Sequence, residues 1–267
     1  MTGAVALALG AALLHALWNL LLGGSRDVLA ATAVALGSSL VLAAPVAFAT
    51  WDVEREAIPW LVASGALELV YFFSLAAAYQ RADVSLVYPI ARGGAPVLVL
   101  AWSLAFGAEL GVSEVAGVLA VAAGVVLVRG FGHGDRVGVT FGVLIAVLIA
   151  AYTLVDAEGI EFADPVPYLL LILIPTTVAA TVVTGPERLR AQFSPRTVLA
   201  GCLGFVAYVL VLAAYRLAPA AIVSAVRETS VLFAVVLAAP VLRERVPAWR
   251  LVGAALVVAG VAAIALG

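Results

Sequence analysis

Lysine is missing altogether. The 14 basic residues of this 267-residue chain are all arginine, and against 16 acidic residues they leave a formal net charge of −2. That balance excludes the basic stripe a nucleic-acid surface needs. A single cysteine, Cys202, excludes an internal disulfide and a thiolate metal site. The two histidines, His15 and His133, stand too far apart to make a local ligand pair, so no metal is expected. Charged residues make up only 11% of the chain, whereas soluble domains carry about a quarter. What fills the space is apolar: 65% of residues are hydrophobic and the mean hydropathy is +1.20. Composition therefore points to a polytopic membrane protein.

A helix needs roughly 20 mostly apolar residues to cross a hydrocarbon core about 30 Å thick. Ten such spans are expected, at about 3–22, 28–50, 58–79, 84–106, 112–129, 137–155, 166–184, 197–216, 220–240 and 248–266. The first has no basic flank and carries His15, Trp18 and Asn19, so it reads as a membrane helix and not as a cleaved signal. Connections after odd spans hold Arg26, Arg81, Arg129, Arg136, Arg188, Arg190, Arg196, Arg243, Arg245 and Arg250. Those after even spans hold only Arg55 and Arg216. The bias places the odd connections in the cytoplasm and both termini outside a plasma or bacterial inner membrane. It also turns the acidic run Asp156, Glu158, Glu161 and Asp164 outward.

The two halves echo one another at an offset of about 135 residues. Ala77-Ala78-Tyr79 meets Ala213-Ala214-Tyr215, Arg92 falls on Arg227, and Glu109 falls on Glu244. Gly117 and Gly124 match Gly253 and Gly260, and Trp18-Asn19 falls near Tyr152-Thr153. Five spans per half is an odd number, so the second half enters the membrane inverted. The expected architecture is an all-α membrane protein of ten transmembrane helices in two inverted five-helix repeats. Residues 1–134 form the first repeat and 135–267 the second, within one integrated unit. Inverted repeats place a substrate site near the midplane and let it face either side in turn.

Each half closes with a helix, a Glu and a helix rich in small residues, a pattern that resembles the EamA type of the drug/metabolite transporter superfamily. The carrying segments are residues 76–128 and 213–265. The first includes Gln80-Arg81-Ala82-Asp83-Val84-Ser85 and Gly107-Ala108-Glu109, the second Leu242-Arg243-Glu244-Arg245. The resemblance spans essentially the whole chain. It implies a secondary transporter for amino acids, nucleotide sugars, drugs or other metabolites. The four-helix multidrug branch of that superfamily has a membrane-embedded Glu on its first helix, where this chain has His15.

Glu68, Arg92, Arg227 and Glu228 all fall inside spans, where each charge opposes insertion by roughly 2.5–3.5 kcal/mol. Such residues face a partner or a water-filled cavity. Helical spacing groups His15, Trp18 and Asn19 on span 1, and Glu68, Tyr71 and Phe72 on span 3. Ser85, Tyr88 and Arg92 share a face of span 4, Tyr152, Thr153 and Asp156 of span 6, and Ser224, Arg227 and Glu228 of span 9. Arg92-Gly93-Gly94-Ala95-Pro96 combines weak helix formers with a proline, so a local break is expected there.

The functional reading is a cavity with substrate-binding residues Arg92, Arg227, Glu68, Glu228, His15, Trp18, Asn19, Tyr71, Tyr88, Tyr152, Tyr208 and Ser224. The arginines would grip a carboxylate or phosphate, and Glu68, Glu228 and His15 would recognise a cation or a coupling proton. The bland reading is internal pairing, Arg92 with Glu68 and Arg227 with Glu228 or a neighbour, and a neutral hydrogen-bonding His15. Small residues at Ala116, Ala120 and Gly124 and at Ala255, Ala259 and Ala263 suit close helix packing or a homodimer through spans 5 and 10. His133 reads as solvated loop.

No nucleophile–base set, HExxH or nucleotide-binding loop is found, so neither catalysis nor a cofactor is expected. The expectation is an ATP-independent exporter of a small polar, zwitterionic or anionic metabolite. A flippase for a lipid-linked intermediate and a non-transporting subunit with structural ion pairs remain as alternatives.

Overall fold

The computed structural model describes residues 1–129, 135–242 and 248–266. The connection holding His133, and Arg243, Glu244 and Arg245, lie outside the described residues. Twelve α-helices follow in order: α1 Thr2–Leu22, α2 Val28–Ala49, α3 Ile58–Arg81, α4 Val84–Ala105, α5 Val112–Arg129 and α6 Arg136–Gly159. Then come α7 Pro165–Thr184, α8 Pro186–Gln192, α9 Pro195–Tyr215, α10 Ala220–Arg227, α11 Ser230–Leu242 and α12 Ala248–Leu266. Among the described residues nine stretches are long and apolar enough to cross a membrane, α10 and the start of α11 counting as one, and α5 is a shorter apolar helix. Among the described residues no strand forms; one isolated antiparallel bridge joins Val53 to Ala163.

Helix starts follow local chemistry. Asp27, Asp135 and Ser194 each turn a side-chain oxygen onto a free backbone N–H in the first turn of α2, α6 and α9. Pro165, Pro186 and Pro195 open α7, α8 and α9, where no intrahelical donor is lost. Gly185, at φ 78°, takes the left-handed backbone of the tight turn between α7 and α8.

Packing is helix on helix. α1 lies against α9, α3 and α4 against α6, α2 against α7 and α9, α3 against α7, and α1 against α10 and α11. α5 and α12 cross at glycines: a Cβ on Gly117 would lie 2.7 Å from the Gly260 oxygen, and one on Gly124 2.7 Å from the Gly253 oxygen. A side chain at Gly201 of α9 would run into the Ala35 oxygen of α2. Large apolar side chains such as Val62, Val178, Val182 and Val258 are exposed and form the lipid-facing surface.

Two expectations are corrected here. The span-4 break is absent: α4 runs unbroken through Pro89 and Pro96. Gly93 and Gly94 serve close packing instead: a Cβ there would lie 2.6 Å from Val126 Cγ2 and 3.3 Å from Ala146 Cβ. The break falls in span 9, between α10 and α11, where no glycine or proline marks it. There Glu228, Thr229, Val231 and Leu232 donate to the carbonyl three residues back, and the Thr229 hydroxyl donates to the Val226 carbonyl at 2.8 Å. This is a tightened 3₁₀ turn with its backbone satisfied. Second, α6 extends to Gly159, so Asp156 lies within it, wholly buried, and does not belong to an outward-facing loop. The close packing expected of spans 5 and 10 is observed within the chain, made by the glycine pairs, while Ala116, Ala255 and Ala259 are exposed on the outer flank.

Candidate functional site

A cavity of about 770 Å³ opens among α1, α2, α3, α4, α6, α7, α9 and α10. It runs from Arg92 and Arg227 in the interior to the exposed Gly23, Arg26 and Gln80 at the ends of α1 and α3. Asp27 and Arg188 also line that mouth. They form a bidentate pair, with Nε donating to Oδ2 at 2.7 Å and Nη2 to Oδ1 at 3.0 Å. The Arg188 guanidinium holds the Asp27 carboxyl below the usual carboxylate range.

The opposite end is sealed. Glu54 N–H donates to the Phe162 oxygen and Asp164 N–H to the Asp52 oxygen, tying the α2–α3 connection to the α6–α7 connection. Arg216, at the end of α9, donates to the carbonyls of Ile160 (3.0 Å) and Ala163 (2.7 Å) and to the Asp164 carboxylate (3.3 Å).

Ten of the twelve expected site residues line the cavity: His15, Trp18, Asn19, Glu68, Tyr71, Tyr88, Arg92, Tyr152, Tyr208 and Arg227. Glu228 and Ser224 do not; each is 1% exposed and sits behind the wall.

Arg92 is held from three helices and the turn. Its Nε lies 3.1 Å from Glu228 Oε2, and its Nη2 donates to Ser230 Oγ at 3.1 Å. Tyr88 presents its ring 5.9 Å from the guanidinium carbon. The same Nη2 lies 3.3 Å from His15 Nε2, while Trp18 Nε1 donates to His15 Nδ1 at 3.1 Å. A neutral imidazole accepts at one nitrogen only, so it can take a proton from Trp18 or from Arg92 but not from both. Asn19 turns back onto its own helix, donating to the His15 carbonyl at 2.8 Å. The pairing of Arg92 is thus with Glu228, not with Glu68. The reason is the turn after α10, which carries Glu228 toward α4.

Arg227 is placed differently. It is 4% exposed, its Nε has no hydrogen-bond partner, and it forms no salt bridge among the described residues. The Tyr208 ring lies 6.0 Å from its guanidinium carbon. Tyr208, Tyr152 and Tyr71 follow one another across the wall, with centroids 6.4 and 5.7 Å apart. Glu68, on α3 beside Tyr71, likewise forms no salt bridge among the described residues.

Sequence reasoning missed Asp156, Tyr168 and Ser230. The Asp156 carboxylate accepts from Tyr168 at 3.1 Å on one oxygen and from Tyr208 on the other. Its shared face with Tyr152 and Thr153 was the available signal.

Residues 136–266 match the model of the EamA-like transporter family. No curated protein sequence matches the chain. Among solved structures, one crystal structure superposes with a TM-score of 0.80 at 17% identity, over 98% of this chain and 98% of the other. At that identity the likeness is one of fold. The second half of the chain, residues 136–266, is thus of the EamA-like transporter type, of the drug/metabolite transporter superfamily, within a molecule whose described residues include nine helices long and apolar enough to cross a membrane.

Proposed function

We propose that the protein is a secondary exporter that moves a small zwitterionic or anionic metabolite by alternating access. The observation that carries this is Arg227: a buried guanidinium on the cavity wall, with an unpartnered Nε and no salt bridge among the described residues. A buried cation with no carboxylate in contact is costly, and a bound carboxylate or phosphate would supply one in the planar two-point geometry arginine favours. Glu68 stands across the Tyr71–Tyr152–Tyr208 shelf as an acceptor for an ammonium group, so a zwitterion fits with both ends compensated.

The helix pairing supports two inverted repeats. Exchanging each helix of residues 1–134 for its counterpart in 135–267 turns α1–α9 into α6–α3, α2–α9 into α7–α3, and α4–α6 into the α10–α11 pair against α1; all are observed packings. It also exchanges the two α5–α12 glycine contacts. A molecule built so can close one end while opening the other. The open mouth lies at the end with Arg26, Gln80 and Arg188, which the arginine bias assigns to the cytoplasm; loading from inside is the arrangement an exporter needs.

The test is thermal stabilisation of purified protein by amino acids, organic acids, sugar phosphates and amines. A ligand at 100 times its dissociation constant stabilises by about 2.7 kcal/mol. Stabilisation by one carboxylate or phosphate class, abolished by Arg227→Ala, is the expected outcome. A panel that leaves the melt unmoved, or a shift that survives Arg227→Ala, counts against the proposal. For Arg92 alone a structural role is favoured, because Glu228 already faces it.

A further inference from the structure

We propose that Asp156 is the residue on which a proton rides through the transport cycle, with the Tyr208 hydroxyl as its link to the cavity. This rests on the transport reading above and adds the coupling ion to it. Asp156 lies on a membrane-spanning helix, is 0% exposed, and forms no salt bridge among the described residues. Both of its oxygens are held by neutral phenol groups, Tyr168 from α7 and Tyr208 from α9. Glu68 and Ser64 face it from α3, Tyr215 from α9, and Arg227 acts on it from α10. The Ser64 hydroxyl, 0% exposed, lies against the same Asp156–Tyr168 pair.

A carboxylate this enclosed, with no cation in contact, is costly to keep ionised, and the smallest group that removes its charge is a proton. Tyr208 is the member of the cluster that both touches the carboxylate and lines the cavity. It can pass its own proton to Asp156 while taking one from cavity water at the same oxygen. One O–H bond then forms on Asp156, one is replaced on Tyr208, and the net change is one proton from water to carboxylate. The reverse transfer returns it. The arrangement also connects coupling to cargo, because the ring of Tyr208 lies beside Arg227. An anion bound at Arg227 changes the field at Asp156, so cargo and proton act on one another across this wall.

Infrared difference spectra of the full-length protein in lipid nanodiscs, between acidic and alkaline buffer, read the proton directly. A protonated-carboxyl stretch is expected in the wild type, absent in Asp156→Asn and retained in Glu68→Gln. No such band in the wild type, or a band that persists in Asp156→Asn, overturns the proposal. If Asp156→Asn does not fold, Tyr208→Phe decides: losing one donor must shift the band, and an unshifted band overturns it. Proteoliposomes loaded with a pH-sensitive dye then receive an equimolar mixture of the common amino acids. Dye response in the wild type and none in Asp156→Asn supports coupling; a response of equal size in both overturns it. An Asp156 band without any wild-type dye response would instead reject amino acids as the cargo and leave the proton site standing.

Discussion

Arg92 and Arg227 stand 135 residues apart, at matching places in the two halves, yet they are provided for in opposite ways. Arg92 has Glu228, Ser230 and the Tyr88 ring around it. Arg227 has a row of tyrosines and an open wall. The residue that matches Glu228 in the first half is Gly93, and it has no room for a side chain: a Cβ there would lie 2.6 Å from Val126 Cγ2. Helix α5 therefore occupies the place from which a carboxylate would neutralise Arg227. On the proposed function, one arginine is part of the scaffold and its counterpart is left for a ligand. If the halves are repeats, as proposed, a difference at one position is enough to give two equal charges different surroundings.

The strongest way to break this comparison is to remove the partner of the scaffold arginine. Glu228→Ala should destabilise the protein by about 3–5 kcal/mol, because a buried guanidinium is left uncompensated. The melting temperature would show it, and replacing Arg92 and Glu228 together by leucine should recover most of the loss. If Glu228→Ala melts like the wild type, the pair is not structural. Arg227→Ala should act on ligand and hardly on fold. Losing a charge-assisted hydrogen bond costs about 1.5–3 kcal/mol, on the order of 10–100-fold in affinity, while the unliganded melt stays put or rises. Titration of the stabilising ligand into both proteins measures that.

Gly93→Ala probes the crowding that keeps the two sites different. Overpacking of this kind costs about 1–3 kcal/mol, and Val126→Ala in the same chain should relieve it. An unaltered melt in the single variant would show that α5 yields there. The smallest effect belongs to the cavity mouth. Asp27 is held below its ordinary range by Arg188, so the pair's contribution is present at neutral pH and lost as pH falls through the folded-state value. Asp27→Asn should therefore remove a small stability difference between neutral and strongly acidic buffer. Parallel melts across that window test it.

Much of the framework could be read from the chain. The spans follow from apolar length, and the cost of embedded charge together with the faces shared on single helices points His15, Glu68, Arg92, Arg227 and the tyrosines to one cavity. Asp156 was misplaced for a definite reason: a charged residue was treated as the end of a span, whereas two tyrosines from other helices make its burial tolerable. The helix break was sought at glycine and proline in α4, where neighbouring helices instead press the chain straight. The partner of Arg92 depends on a turn with no sequence marker. Each of these misses is a tertiary effect, invisible to any window along one helix.

The clasp at the sealed end has a consequence for energetics. Two of the three oxygens gripped by Arg216 are backbone carbonyls, so the grip is indifferent to which side chains the α6–α7 connection carries. Under the proposed cycle, opening that end sacrifices charge-assisted bonds on which no cargo has any direct hold. A cargo that binds both states equally, however tightly, leaves such a balance where it was. Only one whose grip improves as the far side opens can tip it, and the clasp thereby sets a threshold of discrimination, not of affinity, for passage.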